Sequence, residues 1–136
     1  MPKIYLSPST QDWNMYVTGS GSEEYNMNLL ADALVPYLLS NGIQYQRNRP
    51  EMTAGSSIRE ANQGEYDLYL ALHSNAAPEG RYGEERGIIA FYYPGSVGGQ
   101  RAAELIAQEL RKIYPLPNKV TTRPTTSLGE DRKSVV

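Results

Sequence analysis

A single histidine, two adjacent glutamates and a glutamine–aspartate pair are the residues of this chain whose types suit hydrolytic or metal chemistry. His73, the only histidine, follows the apolar run Leu68–Leu72 and precedes Ser74 and Asn75. Glu23 and Glu24 come directly after Ser22, and Gln11 and Asp12 come after Ser7-Pro8-Ser9-Thr10. One imidazole and one carboxylate converging on an open site make a partial zinc shell, of the kind that activates a water for hydrolysis. The same residues also suit plainer roles. A histidine beside a core strand can be satisfied by backbone hydrogen bonds, and glutamates in a first helical turn are favoured by the helix dipole with no metal present. The chain has no cysteine, which excludes disulfides, thiolate zinc sites and cysteine nucleophiles.

The elements that must position these groups can be read in order. Lys3 to Leu6 reads as a strand stopped by Ser7-Pro8, and a long polar loop follows it through Gly19 and Gly21. Ser22 is the expected N-cap of a helix whose apolar positions, Leu29, Leu30, Ala33, Leu34, Tyr37 and Leu38, keep helical spacing up to the stop at Asn41-Gly42. Pro36 inside that pattern predicts a kink, or a helix that ends early and restarts. Ile43 to Arg47 alternates as a second strand, and Ser56 or Ser57 is the expected cap of a shorter helix running to Asn62. Leu68–Leu72 reads as a buried strand, and Gly87 to Tyr93 as another. Ala102, Ala103, Ile106, Ala107 and Leu110 mark an amphipathic helix ending near Ile113, and from Asn118 the pattern fades. Ligands collect at the carboxyl ends of parallel strands. If the first and third strands lie side by side in parallel, Gln11, His73 and the first-turn glutamates therefore arrive at one edge. The order implies a three-layer α/β domain with a central, mainly parallel twisted sheet flanked by helices.

With 136 residues the expectation is one domain spanning 1–136. Thirteen basic and fifteen acidic residues show no block of like charge, so neither nucleic acid nor an anionic membrane surface is an expected partner. No apolar stretch is long enough to span a bilayer, and Met1-Pro2-Lys3 leads into a strand-like run rather than a signal peptide. Eleven tyrosines against one phenylalanine and one tryptophan suit half-buried, hydrogen-bonding surfaces, including ones that contact sugars, and equally suit plain sheet faces.

Several blocks resemble the zinc-dependent N-acetylmuramoyl-L-alanine amidases of the amidase-3 family, which cut the amide between muramic acid and the stem peptide of peptidoglycan. They are Lys3 to Gln11, the Glu23-led helix with its terminal Gly42, Arg47-Asn48-Arg49, Arg59 to Asn62, Asp67 to Ala76, Arg86-Gly87-Ile88, and Ser127 to Glu130. They run in family order over nearly the whole chain, and Leu72-His73-Ser74-Asn75-Ala76 is the most specific. The resemblance implies Zn2+ as cofactor, peptidoglycan as substrate and action on the cell wall. It matches His73 to a zinc ligand and Glu23 to the glutamate ligand, with Glu24 as the alternative if one residue is inserted or deleted. The family's first histidine ligand follows an Asp-Pro-Gly-His pattern that here reads Ser7-Pro8-Ser9-Thr10. Gln11 or Asp12 would fill the vacancy, with Gln11 favoured by the match to a subgroup that shares this start. Asn75 and Arg86 are expected to contact substrate.

A second departure concerns the general base, which in the family lies on a last strand followed by a final helix; that position would fall beyond Val136, so no catalytic base is assigned. A sheet without that strand would expose an unpaired edge, through which the chain is expected to form a homodimer. The competing reading is a non-catalytic peptidoglycan-binding module that keeps the groove and lacks the base.

Overall fold

The structure is a computed structural model that describes residues 2–74, 86–126 and 134–135. The chain forms two compact units, Met1–Ser74 and Asn75–Val136, each an α/β arrangement whose main strand pairing is parallel.

In the first unit, β1 (Lys3–Pro8) lies between β2 (Gln44–Arg47) and β3 (Leu68–Leu72) and pairs with both in parallel. A central strand is covered on both faces, so its residues read as a continuous run instead of an alternating one, and all five residues from Ile4 to Pro8 are buried. One face presents Ile4 and Leu6. These pack with Ala31 and Leu38 of α1 (Glu23–Ser40), with Leu34, Val35, Leu68, Leu70 and Leu72 around them. The other face presents Tyr5, Ser7 and Tyr69 to α2 (Ala54–Gln63). There Tyr5 and Tyr69, partners in the β1–β3 register, stack with ring centroids 5.4 Å apart. The Tyr5 hydroxyl donates to Glu60 Oε1 at 3.1 Å, and the Tyr69 hydroxyl donates to Ser7 Oγ at 2.8 Å. Burial, then the Glu60 carboxylate, holds the Tyr5 phenol well above its ordinary pKa, so it stays a neutral donor. Part of the tyrosine excess therefore serves a sheet face: buried hydroxyls need partners, and Ser7 and Glu60 supply them.

The expected helix after the long loop forms as read, capped by Ser22 Oγ accepting from the Tyr25 N–H at 3.0 Å. It ends at Asn41 and Gly42, where φ is +71°. It runs through Pro36 as one helix, so the early end and restart offered as one alternative there is corrected. Proline removes one backbone donor there, and packing of Ala31, Leu34, Val35 and Leu38 against the sheet outweighs that loss. The cap of α2 is also corrected. Thr53, not Ser56 or Ser57, caps it: Thr53 Oγ1 accepts from the Ser56 N–H at 3.1 Å and Ser56 Oγ accepts from the Thr53 N–H at 2.9 Å, a reciprocal capping box. Ser57 is buried, donating to the Thr53 carbonyl at 2.8 Å and accepting from Asn48 at 3.3 Å.

In the second unit, β4 (Ile88–Tyr92) pairs in parallel with β5 (Val120–Pro124), and β6 (Ser134–Val135) runs antiparallel to β4. Helix α3 (Val97–Arg111) covers β4 and β5, burying Gly99, Ala103 and Ala107, small residues that let the helix approach the sheet closely. It starts five residues before the first apolar position read for it, capped by Ser96 Oγ accepting from the Gly99 N–H at 3.1 Å. The fading read from Asn118 onward is likewise corrected, because β5 and β6 both lie there. Among the described residues no helix is long and apolar enough to cross a membrane.

Candidate functional site at the carboxyl edge of β1 and β3

The register of the first unit puts Pro8 opposite Leu72, and the Ser9 N–H extends the ladder by donating to the Leu72 carbonyl at 2.9 Å. His73 thus leaves β3 beside the point where the long loop leaves β1. The loop is folded on itself by short-range bonds. The Gln11 N–H donates to Ser9 Oγ at 3.2 Å, the Asn14 N–H to the Gln11 carbonyl at 3.4 Å, and the Tyr16 N–H to the Gly21 carbonyl at 2.8 Å. A Met15–Ser22 bridge closes it just before α1. Gly21, with φ at +103°, supplies the left-handed backbone this closure needs.

Glu23, the first residue of α1, is 2% exposed, and both oxygens of its carboxylate are bonded. Oε1 lies 3.0 Å from His73 Nδ1 and accepts from the Ser74 N–H at 3.1 Å; Oε2 accepts from Asn14 Nδ2 at 2.8 Å. The Glu23 N–H in turn donates to the Asn14 carbonyl at 2.8 Å, so Asn14 clamps this residue at both ends. Burial pushes the carboxyl pKa up, while the bonds from His73, Asn14 and the Ser74 backbone pull it down further than burial raises it. The group therefore sits below its ordinary value and is an anion at neutral pH. The Tyr16 hydroxyl and Ser74 Oγ, 2.6 Å apart, tie the loop to the segment that carries His73.

Side-chain bonds, not helix rotation, explain why Glu23 and not Glu24 is held in the site: the Glu23 carboxylate is buried against Asn14, His73 and the Ser74 N–H, while Glu24 is half-exposed. At about 100° per residue Glu24 lies nearer than Glu23 to the buried Ala31 and Leu38, so the packing of the helix on the sheet does not by itself make the choice. Of the residues singled out by sequence, then, His73 and Glu23 meet directly. Gln11 is placed by its backbone at the start of α1, its carbonyl accepting from the Glu24 N–H at 3.4 Å, and Asp12 is exposed. Arg86 is exposed in the second unit, just ahead of Gly87 and β4. Asn75, and the Ser127-Leu128-Gly129-Glu130 block, lie outside the described residues. Asn14, Tyr16 and Ser74 were missed as site residues. Asn14 and Tyr16 sit in a loop with no periodicity to mark them, and only the density of polar side chains there hinted at a role.

A buried anionic carboxylate against an imidazole can hold a divalent cation or orient the ring for proton transfer. Two ligands sharing one tetrahedral zinc at ordinary bond lengths stand about 3.3 Å apart, close to the observed 3.0 Å. The plainer alternative is a carboxylate settled in the first turn of a helix and hydrogen-bonded to the ring of His73. Among the described residues no cluster of three or more His, Cys, Asp or Glu side chains is present.

No family model matches the chain, and no curated protein matches it by sequence. Solved structures do match its fold. N-acetylmuramoyl-L-alanine amidase AmiC2 of Nostoc punctiforme superposes with a TM-score of 0.75 at 13% identity, covering 98% of this chain and 76% of that one. The CwlD amidase from Clostridioides difficile, solved in complex with the GerS lipoprotein, gives 0.72 at 16% identity, covering 99% and 80%. The catalytic domain of CwlV, an N-acetylmuramoyl-L-alanine amidase from Bacillus (Paenibacillus) polymyxa var. colistinus, gives 0.70 at 9% identity, covering 99% and 78%. The chain therefore has the fold of N-acetylmuramoyl-L-alanine amidases, an α/β fold with a mainly parallel sheet flanked by helices.

Proposed function

We propose that the chain is a peptidoglycan hydrolase of the cell wall that cleaves the amide between N-acetylmuramic acid and the L-alanine of the stem peptide. The observation that carries this reading is the buried Glu23 carboxylate facing His73 at the carboxyl edge of a parallel sheet, in a fold like that of three N-acetylmuramoyl-L-alanine amidases. His73 and Glu23 would hold zinc, with the Gln11 side-chain oxygen as the third protein donor. Bound there, zinc supplies Lewis-acid polarisation of an amide carbonyl and brings the pKa of water towards neutrality. The chain's own residues do the positioning. Asn14 and the Ser74 N–H donate to the Glu23 carboxylate, which favours its ionised form and fixes its orientation. The Tyr16–Ser74 bond holds the segment bearing His73 against the loop. Asn75 and Arg86 would meet sugar hydroxyls or stem-peptide carboxylates, the latter by the pairing of guanidinium with carboxylate.

A second reading, a peptidoglycan-binding module without hydrolysis, draws support from one observation: no three His, Cys, Asp or Glu side chains cluster among the described residues. Incubating the zinc-supplemented protein with purified sacculi separates the two. The hydrolase releases soluble peptides with a free L-alanine amino terminus. Retention on sacculi without such peptides would favour the binding module, and no retention and no release would overturn both.

A further inference from the structure

The loop that clamps Glu23 has two sides. Asn14 and Tyr16 turn inward, to the Glu23 carboxylate and to Ser74. The residues between and beside them turn outward: Trp13 is 73% exposed, Met15 62% and Val17 67%. Tyr25, 58% exposed, joins them from the first turn of α1. Its ring rests on the loop at Gly21, where an added Cβ would come within 2.9 Å of Tyr25 Cδ1. Single exposed apolar residues are ordinary, but these three occupy alternate positions of one strip whose intervening side chains are bonded to the site. Trp13 is the immediate neighbour of Asn14, so the strip begins one residue, about 3.8 Å along the backbone, from the clamp on the carboxylate.

The chemistry of the strip selects its occupant. From Trp13 to Gly21 there is no lysine, arginine, aspartate or glutamate. Nothing there would pair with the carboxylates of a stem peptide or with an anionic lipid headgroup. What it offers is an indole face, a thioether and a valine, with the hydroxyls of Thr18 and Ser20, 2.7 Å apart, at its far end. Apolar faces rimmed by hydroxyls suit a pyranose ring, which presents C–H groups on one face and hydroxyls at its edge. We propose that Trp13, Met15 and Val17, flanked by Tyr25, form the glycan-binding strip of this site, taking the amino-sugar chain on which the cleaved amide is carried. The proposal rests on the muramoyl-amide reading above and assigns the sugar side of the substrate to this loop.

Trp13 is the only tryptophan of the chain, so its emission reports on the strip directly. The full chain is titrated with peptide-free glycan strands of alternating N-acetylglucosamine and N-acetylmuramic acid, and separately with free stem peptide. The expected result is a saturable blue shift with the glycan and none with the peptide. Trp13→Ala is expected to weaken glycan binding by about tenfold in calorimetry, and Trp13→Phe to retain most of it. Both variants should keep the wild-type circular dichroism spectrum, because the side chain is exposed. A shift with stem peptide alone, a concentration-dependent shift that tracks dimer formation, or glycan binding that leaves both emission and the Trp13→Ala affinity unchanged would each overturn the proposal. Peptide release from sacculi with no emission response to glycan would remove the strip and keep the hydrolase. A glycan response with no peptide release would keep the strip and remove the hydrolase.

Discussion

Replacing Glu23 separates a built site from a helix that happens to begin with an acid. Glu23→Ala removes the acceptor for Asn14 Nδ2, the Ser74 N–H and His73 Nδ1 at once, leaving three half-buried donors to find water. Hydrogen bonds to a charged group are worth about 1.5–3 kcal/mol each, and partial solvent access reduces that; relief of the buried charge offsets a further part. The net loss comes to about 3 kcal/mol. Glu23→Gln keeps the shape and one carbonyl oxygen for His73 and Ser74, and the Asn14 amide can turn to accept from the new amide, so about 1 kcal/mol is expected. At about 4 °C per kcal/mol for a chain of this length, the melting temperatures fall by about 12 °C and about 4 °C. Calorimetry and urea unfolding in the presence of a chelator measure this without a metal contribution. A Glu23→Ala loss below about 1 kcal/mol, or equal losses for both variants, would refute the reasoning, because the carboxylate would then not be holding three donors.

Further outcomes follow from the same geometry. The Glu23 pKa lies below its ordinary value, so this group stabilises the fold above about pH 4.3 and that contribution disappears as pH falls through the lowered pKa; melting temperatures from pH 6 to 3 should fall less steeply in Glu23→Gln than in wild type. Asn14→Ala should cost about 1.5 kcal/mol in urea unfolding and move the Glu23 titration, followed by NMR, towards the ordinary carboxylate range. Gly87, with φ at +137°, lies where an added Cβ would fall 2.5 Å from the Lys119 carbonyl oxygen, so Gly87→Ala should lose about 2 kcal/mol or more by chemical denaturation while Gly42→Ala, with open space around it, loses less.

The elements that carry the site were legible because each announces itself locally. Leu68–Leu72 is a short apolar run between turn residues, and Ser22 with Glu23, Glu24 and the Asn41-Gly42 stop bracket α1. The choice between Glu23 and Glu24 was not legible, since it depends on the donors that the folded chain brings to the Glu23 carboxylate, namely Asn14, His73 and the Ser74 N–H. Asn14 was invisible for a related reason: it acts through its backbone and side chain together, in a loop whose shape is set by its own hydrogen bonds. The Thr53 cap was hidden by Ala54-Gly55, which reads as a break although Ser56 completes the capping box. β5 was overlooked despite its β-branched Val120, Thr121 and Thr122, because it buries only Val120 and shows no second apolar position to set a period.

The central claim is that Glu23 and His73 together hold a metal ion. Metal content by mass spectrometry, on protein purified without chelator, tests it most directly when wild type, His73→Ala and Glu23→Gln are measured side by side. The account predicts about one zinc per chain in the wild type and a large loss in both variants, and wild-type protein without zinc, or His73→Ala that retains it in full, would contradict it.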